Sequence, residues 1–297
     1  MSGWLGILQG CGTCTENEPL SAHTTLGVGG PSRWFLRPEN QTAWCTARAC
    51  IPQDVPILPL GRGSNLLPTD AGFSGVVLDL SGLNRIAAHD TILEAECGVR
   101  MSRVARICAD HGLNGLEFMA TVPGDIGGGV AMNAGAFGQQ LSDCLTRIRI
   151  LRRDGEIEEL AAGQLQMAYR HTLLPRDSLV IWAEFSLQPD DSEAVRERVR
   201  QMRTTRGRTQ PLELPNCGSV FKNPPGDHAA RLIEVCGLKG HRIGGASISD
   251  KHANFIVNEG QATSSDVLAL IQLAQETVQF RFDVQLEPEV RMLGDGS

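Results

Sequence analysis

The chain has 297 residues, of which 41% are hydrophobic and 21% charged, and its formal net charge is −7. These values are ordinary for a globular protein, and the length predicts two domains or three small ones. The acidic balance argues against broad nucleic-acid binding, which needs a basic face. No apolar run reaches the roughly 18 residues of a membrane span, and the first residues lack the basic start of a signal peptide. We therefore expect a cytoplasmic protein that binds neither nucleic acid nor membranes.

The first 20 residues predict a loose leader. They contain Cys11 and Cys14, which have the spacing of a redox motif but no strand before them, so we expect an inert tail. The nine cysteines of the chain are odd in number and irregularly spaced, which favours reduced thiols. The seven histidines show no metal-ligand spacing, and we expect no metal site.

Short strands dominate the section from residue 21 to residue 200. Alternating or continuous apolar runs predict strands at residues 75–83, 93–98 and 178–187. Residues 147–160 predict a hairpin, because Asp154 and Gly155 form a strong turn signal between two alternating segments. One helix interrupts this section and ends at Gly112. Its apolar face is formed by Met101, Val104, Ala105 and Cys108.

Helices dominate after that section. Residues 192–208 predict a charged helix with a solvated face, and residues 227–237 predict a short helix with Asp227 as its N-cap. Residues 263–280 predict the longest helix, since Thr263 and Asp266 have capping-box spacing. Its predicted buried face consists of Val267, Leu270, Ile271, Ala274 and Val278. The change in pattern places a domain boundary near residue 200.

Two glycine-rich stretches carry the chemical signal. Residues 122–138 read VPGDIGGGVAMNAGAFG, and residues 61–65 read GRGSN. Glycine costs about 0.5–1 kcal/mol relative to alanine in regular structure, so such stretches usually allow something to approach the backbone closely. Neither stretch has the Rossmann or Walker pattern. Backbone N–H groups of two such loops could hold a diphosphate, and the alternative is that both are structural turns.

A set of ordered motifs makes the chain resemble a known family. The motifs are HTTLGVGGPS, LPLGRGSNLL, GLEFMATVPGDIGGGVAMNAGAFG, YRHTLL, NCGSVFKNP, GLKGHRIGGASISDKHANFIVN and LEPEVRMLG, and they extend from about Asn17 to Gly294. In order and spacing they are similar to those of the UDP-N-acetylenolpyruvoylglucosamine reductase (MurB) family. No single motif would be specific, but the ordered set is.

The resemblance implies an α+β fold. A FAD-binding domain of the vanillyl-alcohol-oxidase (PCMH) type, made of two subdomains, is expected at residues 21–200, divided at about residues 85 and 86. A smaller α+β domain that binds the UDP-sugar is expected at residues 201–297, and residues 1–20 form the leader.

The resemblance also implies the reaction. NADPH donates a hydride to non-covalently bound FAD, and the enolpyruvyl ether of UDP-N-acetylglucosamine then receives it. The product is UDP-N-acetylmuramate, a peptidoglycan precursor. Hydride addition to the methylene carbon leaves negative charge on the neighbouring carbon and its carboxylate, so the site must stabilise that charge and deliver a proton.

The family's site residues carry over by motif. Ser219 matches the proton donor, Arg170 the arginine that stabilises the carboxylate, and Glu289 the third active-site residue, with Glu287 as a competitor. Cofactor contacts are implied for Gly61, Arg62, Gly63, Ser64, Asn65, Leu66, Pro123, Gly124, Gly127, Gly128, Asn133, Ala134 and Gly135. Substrate contacts are implied for Lys222, Asn223 and Arg242, while Lys251, His252 and Asn254 belong to the same predicted domain.

The chain departs from the family pattern at several positions. Gly129 often corresponds to alanine or threonine in the family, and Thr172 often corresponds to serine. Tyr169 is the only tyrosine, so the tyrosine-bearing loop that one branch closes over UDP has no counterpart here. We therefore expect the shorter, second branch of the family.

Two other functions compete with the reductase. A related FAD-dependent sugar or hydroxy-acid oxidase is possible in this fold, although residues 61–72 contain no histidine that could tether the flavin. A non-catalytic UDP-sugar sensor is the other, and the presence of Arg170, Ser219 and Glu289 argues against it.

Overall fold

The structure, a computed structural model, describes residues 3–293. The first two residues of the predicted leader and the last four residues of the predicted sugar-binding domain, including Gly294 of the last motif, lie outside this range. The chain divides into two compact units. Unit 1 comprises Met1–Glu16, Trp34–Gly61 and Gly75–Thr205, and unit 2 comprises Asn17–Arg33, Arg62–Ser74 and Arg206–Ser297.

The α-helices within residues 3–293 are Gly3–Gln9 (α1), Gln41–Cys50 (α2), Met101–Asp110 (α3), Ile126–Ala131 (α4), Ser192–Thr209 (α5), Ala229–Val235 (α6) and Ser264–Phe282 (α7). Short 3₁₀ helices occur at Leu20–His23, Leu80–Gly82, Glu117–Ala120, Leu141–Asp143 and Ala162–Gln164. No helix among these residues is both long and apolar enough to cross a membrane.

The strands in the same range are Gly12–Pro19 (β1), Pro31–Pro38 (β2), Ile57–Leu60 (β3), Leu66–Pro68 (β4), Phe73–Asp79 (β5), Ile86–His89 (β6), Ile92–Glu96 (β7), Leu113–Asn114 (β8), Gly135–Ala136 (β9), Gln139–Gln140 (β10), Leu145–Leu151 (β11), Ile157–Ala161 (β12), Gln166–Ala168 (β13), His171–Leu173 (β14), Leu179–Ser186 (β15), Gln188–Pro189 (β16), Arg242–Ile243 (β17), Ala246–Ile248 (β18), Ile256–Asn258 (β19) and Arg291–Leu293 (β20).

Unit 1 is built on an antiparallel sheet with the strand order β12-β11-β15-β7-β6. The core against this sheet includes Val104 of α3, Phe118, Val130 of α4, Ile148 of β11 and Phe185 of β15, all fully buried. Burial of each large apolar side chain contributes about 1.5–3 kcal/mol relative to exposure. This packing holds the short glycine-rich helix α4 in place.

A second core of unit 1 lies by the sheet with the order β1-β2-β5-β3, in which β3 runs parallel to β5. Its fully or nearly fully buried side chains include Leu8 of α1, Trp44 of α2 and Val76 of β5. The ring of Trp4 meets that of Trp34 edge to face, with 5.2 Å between centroids. Most described residues of the predicted loose leader therefore form a helix, Gly3–Gln9, and a strand, Gly12–Pro19. That prediction was wrong, because Leu8 of α1 is fully buried and Trp4 and Leu5 pack against the same core, which are tertiary contacts that no local pattern in this segment indicates.

Unit 2 contains the small sheet β17-β18-β19, the helices α6 and α7, and the parallel pair β4 and β20. The carboxylate of Asp70 accepts hydrogen bonds from the backbone N–H groups of Ser264 (2.8 Å) and Ser265 (2.9 Å) at the start of α7. This cap explains why residues 62–74 group with the C-terminal part of the chain. The single boundary near residue 200 had placed them with the N-terminal part.

Several predicted elements are confirmed with small shifts at their ends. The hairpin β11–β12 forms, and Gly155 in its turn has φ +88°. The capping box of α7 forms, since the Asp266 N–H donates to Thr263 Oγ1 and the Thr263 N–H donates to Asp266. The apolar faces predicted for α3 and α7 are buried throughout.

The structure differs from the helix predictions at two points. Helix α2 was not predicted, although its signal is present: Asn40 Oδ1 accepts the Ala43 N–H at 3.0 Å as an N-cap. Asp227 is not the N-cap of α6, because that position is occupied by His228. The Asp227 carboxylate instead pairs with Arg231 and accepts the His228 N–H.

All nine cysteines are free. The burial of three of them predicts which thiols a labelling reagent can modify. Burial raises the pKa of the Cys108 and Cys217 thiols to about 12 and raises that of Cys97 even further. Because the thiolate is the reactive form, brief treatment of the native protein with iodoacetamide should leave these three unmodified while half-buried Cys236 reacts. Peptide mass spectrometry measures this pattern. Modification of Cys97 at the rate seen in urea would contradict it.

Candidate active site

The predicted site residues fall into both units. Unit 1 contains Gly61, Pro123, Gly124, Gly127, Gly128, Asn133, Ala134, Gly135 and Arg170. Unit 2 contains Arg62, Gly63, Ser64, Asn65, Leu66, Ser219, Lys222, Asn223, Arg242 and Glu289. The GRGSN loop is therefore divided between the two units after Gly61. The sequence did not predict this division.

In unit 2, the segment that carries Ser219 is held by the side chain of Asn254. Asn254 is 4% exposed, and its Oδ1 accepts the Phe221 N–H at 2.9 Å while its Nδ2 donates to the Phe221 carbonyl at 2.8 Å. The Val220 N–H also donates to the Asn254 carbonyl at 2.9 Å. Asn254 thus replaces a neighbouring strand for this segment, and its role is to position the backbone.

The segment that carries Ser219 is hydrogen-bonded through its backbone to the segment that carries Glu289. The Glu289 N–H donates to the Val220 carbonyl at 2.8 Å, and the Lys222 N–H donates to the Glu287 carbonyl at 2.9 Å. Backbone hydrogen bonds therefore join the segments that carry two of the three predicted catalytic residues within unit 2. Residues about 70 positions apart in the sequence meet here, which no local pattern could predict.

Ser219 is half-buried and follows Gly218, whose φ is +78°. The Gly218 N–H donates to Asn216 Oδ1 at 3.0 Å, which fixes the turn before the serine. The Ser219 hydroxyl makes no hydrogen bond to another group of residues 3–293. Its O–H is therefore available to an external group, as a proton donor requires.

Asn65 connects the GRGSN loop to the Glu289 segment. Its Nδ2 donates to the Glu289 carbonyl at 3.0 Å, and its own carbonyl accepts the Arg291 N–H at 3.0 Å. The following strands β4 and β20 then pair in parallel. The side-chain amide of Asn65, expected to face a cofactor, thus binds the segment that carries Glu289.

The contacts of Asn254 predict a large effect on stability. Asn254→Ala would leave the N–H and carbonyl of Phe221 buried without partners, each at a cost of about 1–3 kcal/mol. We expect the free energy of unfolding to fall by about 2–4 kcal/mol in urea titrations. The exposed Asn84, replaced by alanine in the same way, should change it by less than about 0.5 kcal/mol. Equal stability of the two variants would refute the bridging role.

In unit 1, Arg170 occupies the turn of the hairpin β13–β14. Its φ is +57°, and a non-glycine residue in that left-handed region costs about 1–2 kcal/mol. Its guanidinium carbon lies 5.0 Å from the centroid of the Tyr169 ring. Such a conformation persists only when the surroundings enforce it, and it is typical of residues with a functional role.

The glycines of α4 have different physical causes. A Cβ on Gly127 would lie 2.8 Å from Cys97 Cβ, so internal packing requires this glycine. A Cβ on Gly129 would lie 2.9 Å from Met101 Sδ, at the flexible end of a side chain that can shift. Gly128 is exposed, and a Cβ there would meet no heavy atom within 4 Å. The protein itself therefore does not require Gly128 to be glycine. The bare backbone at this position leaves room for an external group, and it fits a cofactor that approaches closely.

Other predicted cofactor residues are explained within the protein. A Cβ on Gly135 would lie 2.5 Å from the Gln139 carbonyl oxygen, and one on Gly63 would overlap the His23 carbonyl. Asn133 is fully buried, and its side chain bonds only to protein groups. Its amide is therefore not presented to a phosphate, contrary to the expectation from the motif.

The predicted substrate residues make contacts inside unit 2. Lys222 Nζ lies 2.5 Å from Glu287 Oε1, and Asn223 Oδ1 accepts the Ala229 N–H at 3.2 Å. Arg242 pairs with Glu259. Glu287 is exposed and engaged by Lys222, whereas Glu289 is half-buried. The choice of Glu289 over Glu287 is consistent with this difference.

A cleft of about 590 Å³ in unit 1 contains none of the predicted site residues. Its lining includes the Arg85–Glu96 pair, joined at 2.8 Å, and Trp182, over which the Arg149 guanidinium lies at 4.3 Å. These groups partner one another. The presence of this cleft does not change the location of the candidate site.

Comparisons with known proteins agree with the motifs. Residues 34–161 match the family described as FAD binding domain, and residues 210–293 match UDP-N-acetylenolpyruvoylglucosamine reductase, C-terminal domain. The chain is 44% identical over 296 residues to the reductase of that name from Thiobacillus denitrificans, covering 94% of this chain and 91% of the relative. It is 42% identical to that from Latilactobacillus sakei, with 95% and 93% covered.

A solved structure supports the same assignment. The crystal structure of MurB from Thermus caldophilus superposes with a TM-score of 0.80 at 33% identity, covering 95% of this chain and 98% of that one. The α+β fold class with an FAD-binding domain, predicted from the motifs, is thereby confirmed. By sequence, by fold and over nearly its whole length, the chain belongs to the UDP-N-acetylenolpyruvoylglucosamine reductase family, whose members are FAD-dependent oxidoreductases.

Proposed function

We infer that this protein reduces UDP-N-acetylglucosamine enolpyruvate to UDP-N-acetylmuramate, with FAD as the bound cofactor and NADPH as the hydride donor. Family membership carries the reaction. Catalysis by this chain is best supported by the Ser219 hydroxyl, which lies next to the Val220–Glu289 pairing and has no hydrogen-bond partner among residues 3–293. The product is a precursor of peptidoglycan, so the activity belongs to cell-wall synthesis.

FAD, when bound, supplies the chemistry of accepting a hydride from NADPH and transferring it to the enolpyruvyl group. Residues of the two glycine-rich stretches would hold it, with Gly128 providing the open backbone surface. Gly61 and Gly124 are placed in the same unit and would contribute backbone groups. No histidine lies in residues 61–72, which agrees with non-covalent binding.

Ser219 acts as the proton donor in this proposal. A serine hydroxyl is a very weak acid, but the carbon next to the reduced methylene becomes strongly basic once it carries charge. The O–H bond of Ser219 breaks as the new C–H bond forms, and the serine regains a proton from solvent. Arg170 pairs its planar guanidinium with the substrate carboxylate, and Glu289 is the third active-site residue.

The units receive roles in the same proposal. Unit 1 binds most of the cofactor, and unit 2 binds the UDP-sugar through Lys222, Asn223 and Arg242. The segments 17–33 and 62–74 then belong structurally to the sugar-binding part, which differs from the simple division at residue 200. We place the protein in the cytoplasm, because its nine free thiols suit a reducing compartment.

An anaerobic visible spectrum of the purified protein tests this function. We expect a yellow protein that is bleached by NADPH and regains its colour on addition of UDP-N-acetylglucosamine enolpyruvate. A protein that regains colour with oxygen but ignores the sugar would establish the oxidase instead. A colourless protein that takes up no FAD would leave only the non-catalytic UDP-sugar sensor.

A further inference from the structure

The turn that carries Arg170 is held from both sides by two polar side chains for which the reaction has no other use. Thr172 follows the turn and is 5% exposed, and its Oγ1 donates to the Val130 carbonyl of α4 at 2.6 Å. Asn133 is fully buried, and its Nδ2 donates to the Ala168 carbonyl, before the turn, at 3.1 Å. The turn residues Tyr169 and Arg170 thus lie between two positions, Ala168 and Thr172, that are hydrogen-bonded to the glycine-rich stretch.

Both anchors join the hairpin to the glycine-rich stretch, Thr172 through Val130 and Asn133 from within the stretch. The remaining contacts of the Asn133 side chain are the Ser142 N–H, which its Oδ1 accepts at 3.0 Å, and Gln140 Oε1 at 3.2 Å. Asn133 itself has φ +40°, a left-handed conformation that asparagine tolerates. Its amide therefore joins the end of α4 to the hairpin β13–β14 through a network with every polar atom used.

The hairpin itself is too short to define this turn. Strands β13 and β14 have three residues each, with Met167 opposite Thr172 and Ala168 opposite His171. An isolated two-stranded hairpin is marginal in water, and the exposed Tyr169 and Leu173 add little packing. The left-handed Arg170 must therefore be enforced by bonds outside the hairpin.

We propose that Thr172 and Asn133 are positioning residues for Arg170: they lock the β13–β14 turn onto the end of α4 and so set the guanidinium where it meets the substrate carboxylate. The inference rests on the proposed function, since it assigns Arg170 to that carboxylate.

Transient kinetics of the two half-reactions test this role with Thr172→Val. The variant keeps the shape but removes the hydroxyl. We expect reduction of the flavin by NADPH to change less than about twofold, and reoxidation by the enolpyruvyl sugar to slow about 10- to 100-fold, as for a misplacement of about 1 Å. Thr172→Ser should restore the reoxidation rate. Thr146→Val is a control, because it likewise removes a threonine hydroxyl bonded within unit 1, to the Glu184 carboxylate at 2.6 Å and the Glu184 carbonyl at 3.1 Å.

Coupling to Arg170 separates positioning from a general structural role. Adding Thr172→Val to Arg170→Ala should cause no further loss, because the group being positioned is already absent. Additive losses, equal slowing of both half-reactions, or a wild-type reoxidation rate in Thr172→Val would each overturn the proposal. If Thr172→Val holds no flavin, Thr172→Ala replaces it, since the smaller side chain admits water to the Val130 carbonyl. Failure of the wild-type protein to be reoxidised by the sugar would instead refute the proposed function.

Discussion

Ser219→Ala is expected to abolish most of the second half-reaction while leaving the first intact. NADPH should still bleach the flavin at the wild-type rate, because no proton from the serine is needed there. Reoxidation by the enolpyruvyl sugar should slow by about 10²- to 10⁴-fold, the usual contribution of a general acid, which corresponds to about 3–5 kcal/mol of activation free energy. Anaerobic stopped-flow spectra measure both rates on the same sample.

Two further variants define the role of the hydroxyl. Ser219→Cys keeps a proton donor of lower pKa and should retain part of the reoxidation rate that Ser219→Ala loses. Ser21→Ala is a matched control, since Ser21 is also a half-buried serine of unit 2. Equal losses in the two half-reactions of Ser219→Ala would indicate a structural effect and would refute the proton-donor role.

Gly128→Leu is expected to yield folded protein that is poor in flavin. No protein atom lies within 4 Å of a Cβ at this position, so the side chain should not disturb the apoprotein. A leucine there would occupy the surface that the cofactor approaches, and flavin affinity should fall by at least about tenfold, or about 1.4 kcal/mol. The ratio of flavin to protein absorbance after purification, and titration with FAD, measure this effect.

The neighbouring glycines show why Gly128 is the informative position. A side chain on Gly127 or Gly129 would contact Cys97 or Met101, so a loss of flavin in those variants would combine a packing effect with any effect on the cofactor. Gly163→Leu is a suitable control, because Gly163 also lies in a short helix of unit 1 with no heavy atom within 4 Å of a Cβ. Full flavin occupancy in Gly128→Leu would show that the open backbone has another purpose.

Local patterns predicted the elements whose residues interact with near neighbours. The capping box of α7 joins residues three apart, and the turn of β11–β12 needs only Asp154 and Gly155. The prediction of a loose leader was wrong because α1 packs against side chains that are distant in the sequence, such as Trp34. Helix α2 was missed although its N-cap Asn40 was visible in the sequence.

For the candidate site, too, some features could be predicted from the sequence and others could not. Motifs assigned Ser219, Arg170 and Glu289 to catalysis from residue type and order, and these assignments remain predictions. The motifs could not distinguish glycines that face a ligand from glycines that face the protein, and they assigned Asn65 and Asn133 to the cofactor. The structure uses both amides internally, on the Glu289 carbonyl and on the Ala168 carbonyl.

The sequence by itself determined the family, the chemistry of the side chains and the elements held by local hydrogen bonds. These depend on residue identity and short spacing, which the chain carries in one dimension. Only the tertiary structure decided how segments are grouped into units and which polar groups hold others in place. Asn65, Val220, Asn254 and Glu289 meet through hydrogen bonds between distant segments. Such contacts form only after folding has placed those backbones side by side, so no local pattern records them.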